Sequence, residues 1–129
     1  MVKLIGDGTL AVFTAEDRMH ACETALSAAI AARQSIAELK TRRASDGKPV
    51  TDMYLDLHVG EVFYGNVGSR ERLRFTVVGP AVNEASRIAA MCRSVDQPVL
   101  MSASLNRDEM CDPPQYAAAR AGLSGYTQP

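Results

Sequence analysis

Residues 74–91 read RFTVVGPAVNEASRIAAM, and the rest of the chain is organised around them. A β-rich run, Phe75, Thr76, Val77 and Val78, ends at Gly79-Pro80, and a helix follows at once. Asn83 and Arg87 are four apart on that helix, so they share one face. An amide and a guanidinium near a helix N-terminus suit an anion. A strand-turn-helix corner with solvated polar residues gives the same pattern, because polar pairs at this spacing are common.

Working outward, residues 2–13 read as a hairpin. Val2, Leu4 and Ile5 precede Gly6-Asp7-Gly8, and Leu10 to Phe13 follow; Asp-Gly between two apolar runs is a strong hairpin signal. Asp7 is then either turn chemistry or an exposed carboxylate suited to Mg²⁺ or Mn²⁺. Lys3 interrupts the apolar first strand, as edge lysines do. Thr14 and Asp17 resemble a capping box opening a long helix, with Cys22, Leu26, Ala29, Ile30, Ile36 and Leu39 at helical spacing. Met19 and Cys22 read as core, His20 as surface. The alanine content suits close packing on a sheet.

Met53, Leu55, Leu57 and Val59 alternate with Tyr54, Asp56 and His58, which predicts a half-buried strand with His58 on its polar side. Gly60, Gly65 and Gly68 punctuate a second apolar stretch around Phe63. Residues 69–74 are a charged connection. Beyond the central helix come a short strand at 98–101, a short helix at 102–108 and a strand beginning near Gly122. The order predicts an α+β fold, a mostly antiparallel sheet with helices on one face, compatible with a ferredoxin-like arrangement.

Composition excludes several classes. Fourteen basic residues face 15 acidic ones, so nothing points to nucleic acid. No apolar run approaches the roughly 20 residues that cross a bilayer. Cys22, Cys92 and Cys111 form no CxxC pair and have no histidine cluster beside them, which suits reduced thiols in the cytoplasm. At 129 residues the chain reads as one domain, residues 1–129, or part of one.

Three blocks carry more than pattern: KLIGDGTLAVF (3–13), LHVGEVFYGNVGS (57–69) and FTVVGPAVNEASRI (75–88). In this order they resemble the class III nucleotidyl cyclase catalytic domain, over nearly the whole chain. The resemblance implies that a nucleoside triphosphate is closed to a 3′,5′-cyclic monophosphate with release of pyrophosphate. It implies two metal ions, Mg²⁺ or Mn²⁺, held by two aspartates, of which Asp7 matches the second. Arg87 matches the arginine that stabilises charge at the α-phosphate, and Asn83 the asparagine that orients the ribose. Lys3 matches the purine-reading lysine. Thr76 stands where many adenylate cyclases have Asp and one bacterial subclass has Thr, whereas guanylate cyclases usually carry Glu and Cys at these two places. ATP is therefore expected over GTP. Sites shared across a head-to-tail homodimer are implied as well.

Departures from the family pattern set a second expectation. The first metal aspartate, in a D-x-x-G-F context upstream of the hairpin, has no counterpart, and no lysine follows Lys48 to match the one near the C-terminal strand. The chain is thus expected to be a partial domain, truncated at the first strand and weakly active or inactive alone. The alternative is a degenerate cyclase-like module used for regulation or dimerisation.

Overall fold

The structure, a computed structural model, describes residues 2–67, 74–106 and 116–124. Its elements run β1 (Val2–Ile5), β2 (Gly8–Phe13), α1 (Arg18–Ser45), β3 (Asp52–Gly60), β4 (Phe63–Val67), β5 (Arg74–Val78), α2 (Pro80–Ser94), β6 (Val99–Met101), α3 (Ala103–Asn106) and β7 (Tyr116–Ser124). Five strands form one sheet in the order β1-β2-β7-β3-β6; β4 and β5 pair as a separate antiparallel ribbon. Among the described residues only the β3–β6 pairing is parallel, so the α+β expectation holds. The last strand starts earlier than the sequence suggested and lies inside the sheet, between β2 and β3. Of the charged connection, residues 69–73 lie outside the described residues, as do Cys111 and the end of the expected helix at 102–108.

The hairpin forms as expected, with Ile5 paired to Gly8 across the two-residue turn Gly6-Asp7. The cap of α1 differs. Asp17, not Thr14, is the N-cap: its carboxylate accepts from the backbone N–H of Met19 at 2.8 Å and of His20 at 3.3 Å. Asp is the stronger cap, and it sits where the first turn begins. The packing seam of α1 also differs. Ala21, Ala25 and Ala29 are buried, whereas Met19, Leu26 and Ile30 are exposed and Cys22 is only half-buried. Small side chains let the helix axis approach the sheet closely, and that approach swings the larger residues to the flank. Further along, Arg33 and Lys40 both reach Asp52 at the start of β3, at 3.3 and 2.7 Å. The Lys40 bond, with the Met53 N–H, holds the Asp52 carboxyl below its usual range.

β3 corrects the sequence reading most sharply. Met53, Leu55 and Leu57 pack against the alanine seam of α1. Asp56 and His58, expected in solvent, are 1% and 9% exposed. The cause is α2, whose inner stripe is Ala81, Ala85, Ile88 and Cys92. Ala81 lies beside Gly60 and His58, and Cys92 donates to the Leu55 carbonyl. The two long helices therefore cover opposite faces of β3, not one face. An alternation of apolar and polar residues reports the pleat, not what covers each side. A second cluster, Leu10, Val12, Val62, Val77 and Ala81, joins β2 to the β4–β5 ribbon and to α2. No helix among the described residues is long and apolar enough to cross a membrane.

Two outcomes follow from this packing. Leu57, 1% exposed in the α1 seam, is expected to lose about 2–5 kcal/mol of stability as Leu57→Ala, measured by denaturant unfolding. Burial lowers the pKa of His58 below the ordinary 6.5, partly countered by the charge of Glu84. The unfolded chain then takes up the proton first, so His58 costs stability as pH falls below about 6.5. Unfolding measured between pH 8 and 5.5 should show a loss in the native chain that His58→Gln lacks; equal slopes would refute this.

Candidate active site

The corner between β5 and α2 fixes the site. Gly79 has φ 139°, a backbone conformation closed to most side chains, and Pro80 begins the helix directly after it. A Cβ at Gly79 would lie 3.2 Å from both the Glu61 carbonyl oxygen and the Phe63 ring. Glycine therefore lets the corner lie against the β3–β4 connection, where the Ala81 N–H points at the Glu61 carbonyl, 3.4 Å away. With the alanine stripe of α2 turned to β3, Asn83 and Arg87 come to the opposite, exposed side. Arg87 is 78% exposed at the side chain, and its Nη1 pairs with the Glu84 carboxylate at 3.3 Å.

Lys3 and Thr76, 73 residues apart, meet: the Lys3 ammonium donates to the Thr76 hydroxyl. Thr76 is buried at 7% exposure, and Lys3 is half-buried on the edge strand. The bond ties the five-stranded sheet to the β4–β5 ribbon.

Asp7 lies elsewhere. It is 71% exposed at the tip of the hairpin turn, 3.8 Å from Arg93 in the last turn of α2. Together with Tyr54, Ser86, Ala89 and Ala90, these two residues line a cleft of about 160 Å³. Within one chain, then, Lys3 is joined to Thr76 and Asn83 shares a face with Arg87, while Asp7 faces the far end of the same helix. The cyclase domains that this chain resembles generally use divalent metals. Asp7 offers a hard oxygen donor, but no cluster of three or more His, Cys, Asp or Glu that could hold a metal occurs among the described residues. One exposed carboxylate already near a guanidinium does not make a metal centre by itself.

Sequence reading passed over Arg93 and Glu84, and placed His58 on the polar side of its strand. Glu84 was legible, since it stands three residues before Arg87 on the helix. Arg93 and His58 gain their neighbours only by folding. The free thiols Cys22 and Cys92 both have raised pKa values, chiefly from burial, so neither is an activated nucleophile.

An uncharacterized protein of Mycobacterium tuberculosis is 32% identical over 131 residues, covering 98% of this chain and 22% of its own length. An uncharacterized protein of Mycobacterium bovis is 35% identical over 105 residues, covering 81% of this chain and 17% of its own. The chain thus spans about a fifth of the length of the curated relatives it matches. No solved structure matches it. The model of the adenylate and guanylate cyclase catalytic domain matches residues 1–112, and the chain belongs to that family.

Proposed function

We propose that this domain closes ATP to cyclic AMP and pyrophosphate, at a site shared between two copies of the chain. The observation that carries the reading is the Lys3–Thr76 hydrogen bond, which joins the two residues assigned to the purine. An ammonium donates to the adenine ring nitrogen, and a hydroxyl oxygen accepts from the exocyclic amine, so the pair suits adenine better than guanine. Thr76 is buried and held by Lys3, which gives it a fixed place from which to discriminate.

In the reaction the ribose 3′-oxygen bonds to the α-phosphorus, its proton leaves, and the bond to the pyrophosphate oxygen breaks. Arg87 neutralises charge growing on the α-phosphate through its planar set of donors. Asn83, on the same exposed face of α2, holds the ribose so that the 3′-oxygen is in line. Asp7 would be one ligand of a divalent ion, Mg²⁺ or Mn²⁺, which would supply charge stabilisation at the phosphates. Its pairing with Arg93 at the C-terminal end of α2, beyond Asn83 and Arg87, suits a two-chain site, with Asp7 of one copy meeting Asn83 and Arg87 of the other. A nucleotide substrate and free thiols suit the cytoplasm. A second reading, a regulatory or dimerisation module descended from a cyclase, is favoured by the lack of a group of three metal-binding side chains among the described residues.

The test is cyclic nucleotide formation from ATP and from GTP with Mn²⁺, by this chain and by a version extended upstream. ATP is the expected substrate, with Arg87→Ala slower by about 10²–10³-fold. The Lys3→Glu, Thr76→Cys double variant should move preference toward GTP. Silence from both proteins would favour the regulatory module; a preference for GTP in the native chain would refute the role given to Lys3 and Thr76.

A further inference from the structure

His58 has no part in the chemistry above, yet it is buried, and its Nδ1 makes no hydrogen bond to any described residue. Its Nε2 lies 3.1 Å from where a Cβ on Gly60 would sit, and the Ala81 Cβ lies 3.0 Å from the same point. The ring therefore lies against the first turn of α2, and only glycine at position 60 leaves room for both. Glu84 follows Ala81 by three residues on that helix. Its charge acts on His58 and favours the protonated ring, while its Oε2 accepts from Arg87.

The other groups around His58 are few. Asp56 lies two residues back on the same side of β3. Cys92 of α2 is under the influence of Asp56. In β7 the register position opposite His58 is Ala118, with Tyr116 and Arg120 two residues to either side. From β2, Leu10 and Val12 bring no charge.

We propose that Glu84 is a positioning residue for Arg87, and that its carboxylate is shared between that guanidinium and the buried His58. With His58 neutral, Glu84 belongs to Arg87 and holds an otherwise free, rotamer-rich arm at one place on the helix. A proton on His58 draws the carboxylate toward the sheet and loosens Arg87. The proposal deepens the reading of Arg87 as the α-phosphate ligand and rests on it for its consequence in catalysis. The linkage itself does not need that reading.

The experiment is an NMR titration of the His58 imidazole in the native chain, in Glu84→Gln and in Arg87→Gln. Removing the carboxylate charge is expected to lower the His58 midpoint. Removing the guanidinium frees Glu84 and is expected to raise it. Arg87 is exposed and Glu84 half-buried at the edge of α2, and both substitutions keep the side chain's size close, so the fold should persist. Midpoints unchanged in both variants would overturn the linkage, whether or not the domain makes cyclic nucleotide. In an active, upstream-extended domain, Glu84→Gln should lower kcat about twofold, the worth of one helix-face pair. It should also flatten the pH dependence that passes through the His58 midpoint, as should His58→Gln. A pH profile identical in all three proteins would overturn the positioning role and leave the assignment of Arg87 intact.

Discussion

The burial of β3 between two alanine-faced helices is the constraint on which the rest depends. One side of the strand receives Ala21, Ala25 and Ala29 of α1; the other lies under Ala81 and Ala85 of α2. Short side chains bring both helix axes close to the strand, and close approach removes water from both sides at once. That is why a strand bearing Asp56 and His58 can be central. Burying such groups is costly unless their surroundings answer them. For His58 that answer is the charge of Glu84.

The same constraint sets the site. Once Ala81, Ala85, Ile88 and Cys92 face the sheet, the helical period leaves Asn83 and Arg87 no place but the outer surface. Gly79 fixes where that period begins, because its backbone and its lack of a Cβ let the corner press against Glu61 and Phe63. A shift of one residue in the start of α2 would rotate Arg87 by about a quarter turn. The place of Arg87 is thus a consequence of helix packing on β3, and its side chain pairs with Glu84 on the same helix.

The proposed reading of the purine depends on a different contact. Lys3 belongs to the edge strand of the large sheet and Thr76 to the two-stranded ribbon, so their bond joins the two sheets between residues 73 apart in sequence. The cluster of Leu10, Val12, Val62, Val77 and Ala81 holds those sheets together beneath it. The apolar cluster supplies rigidity, and in the proposed function the polar pair above it supplies selectivity, the usual division between a recognition contact and the scaffold that carries it. Asp7, on the exposed hairpin turn, stands outside this unit and pairs with Arg93 instead.

Much of this was legible from residue order. The hairpin around Asp7, the strand before Gly79, the helix after Pro80 and the shared face of Asn83 and Arg87 all follow from local periods and turn chemistry, which neighbouring residues determine. Three blocks of sequence carried the family as well. Long-range placement was not legible. Nothing near Met19 or Leu26 says that alanines will take the seam, and nothing near His58 says that a helix 20 or more residues onward will cover it. Sequence alone determined the elements, the corner and the candidate residues, because these are set within a few residues of one another. Tertiary structure alone decided which faces are covered, that Lys3 meets Thr76, and that Asp7 is drawn to Arg93, because those depend on how distant surfaces exclude water together.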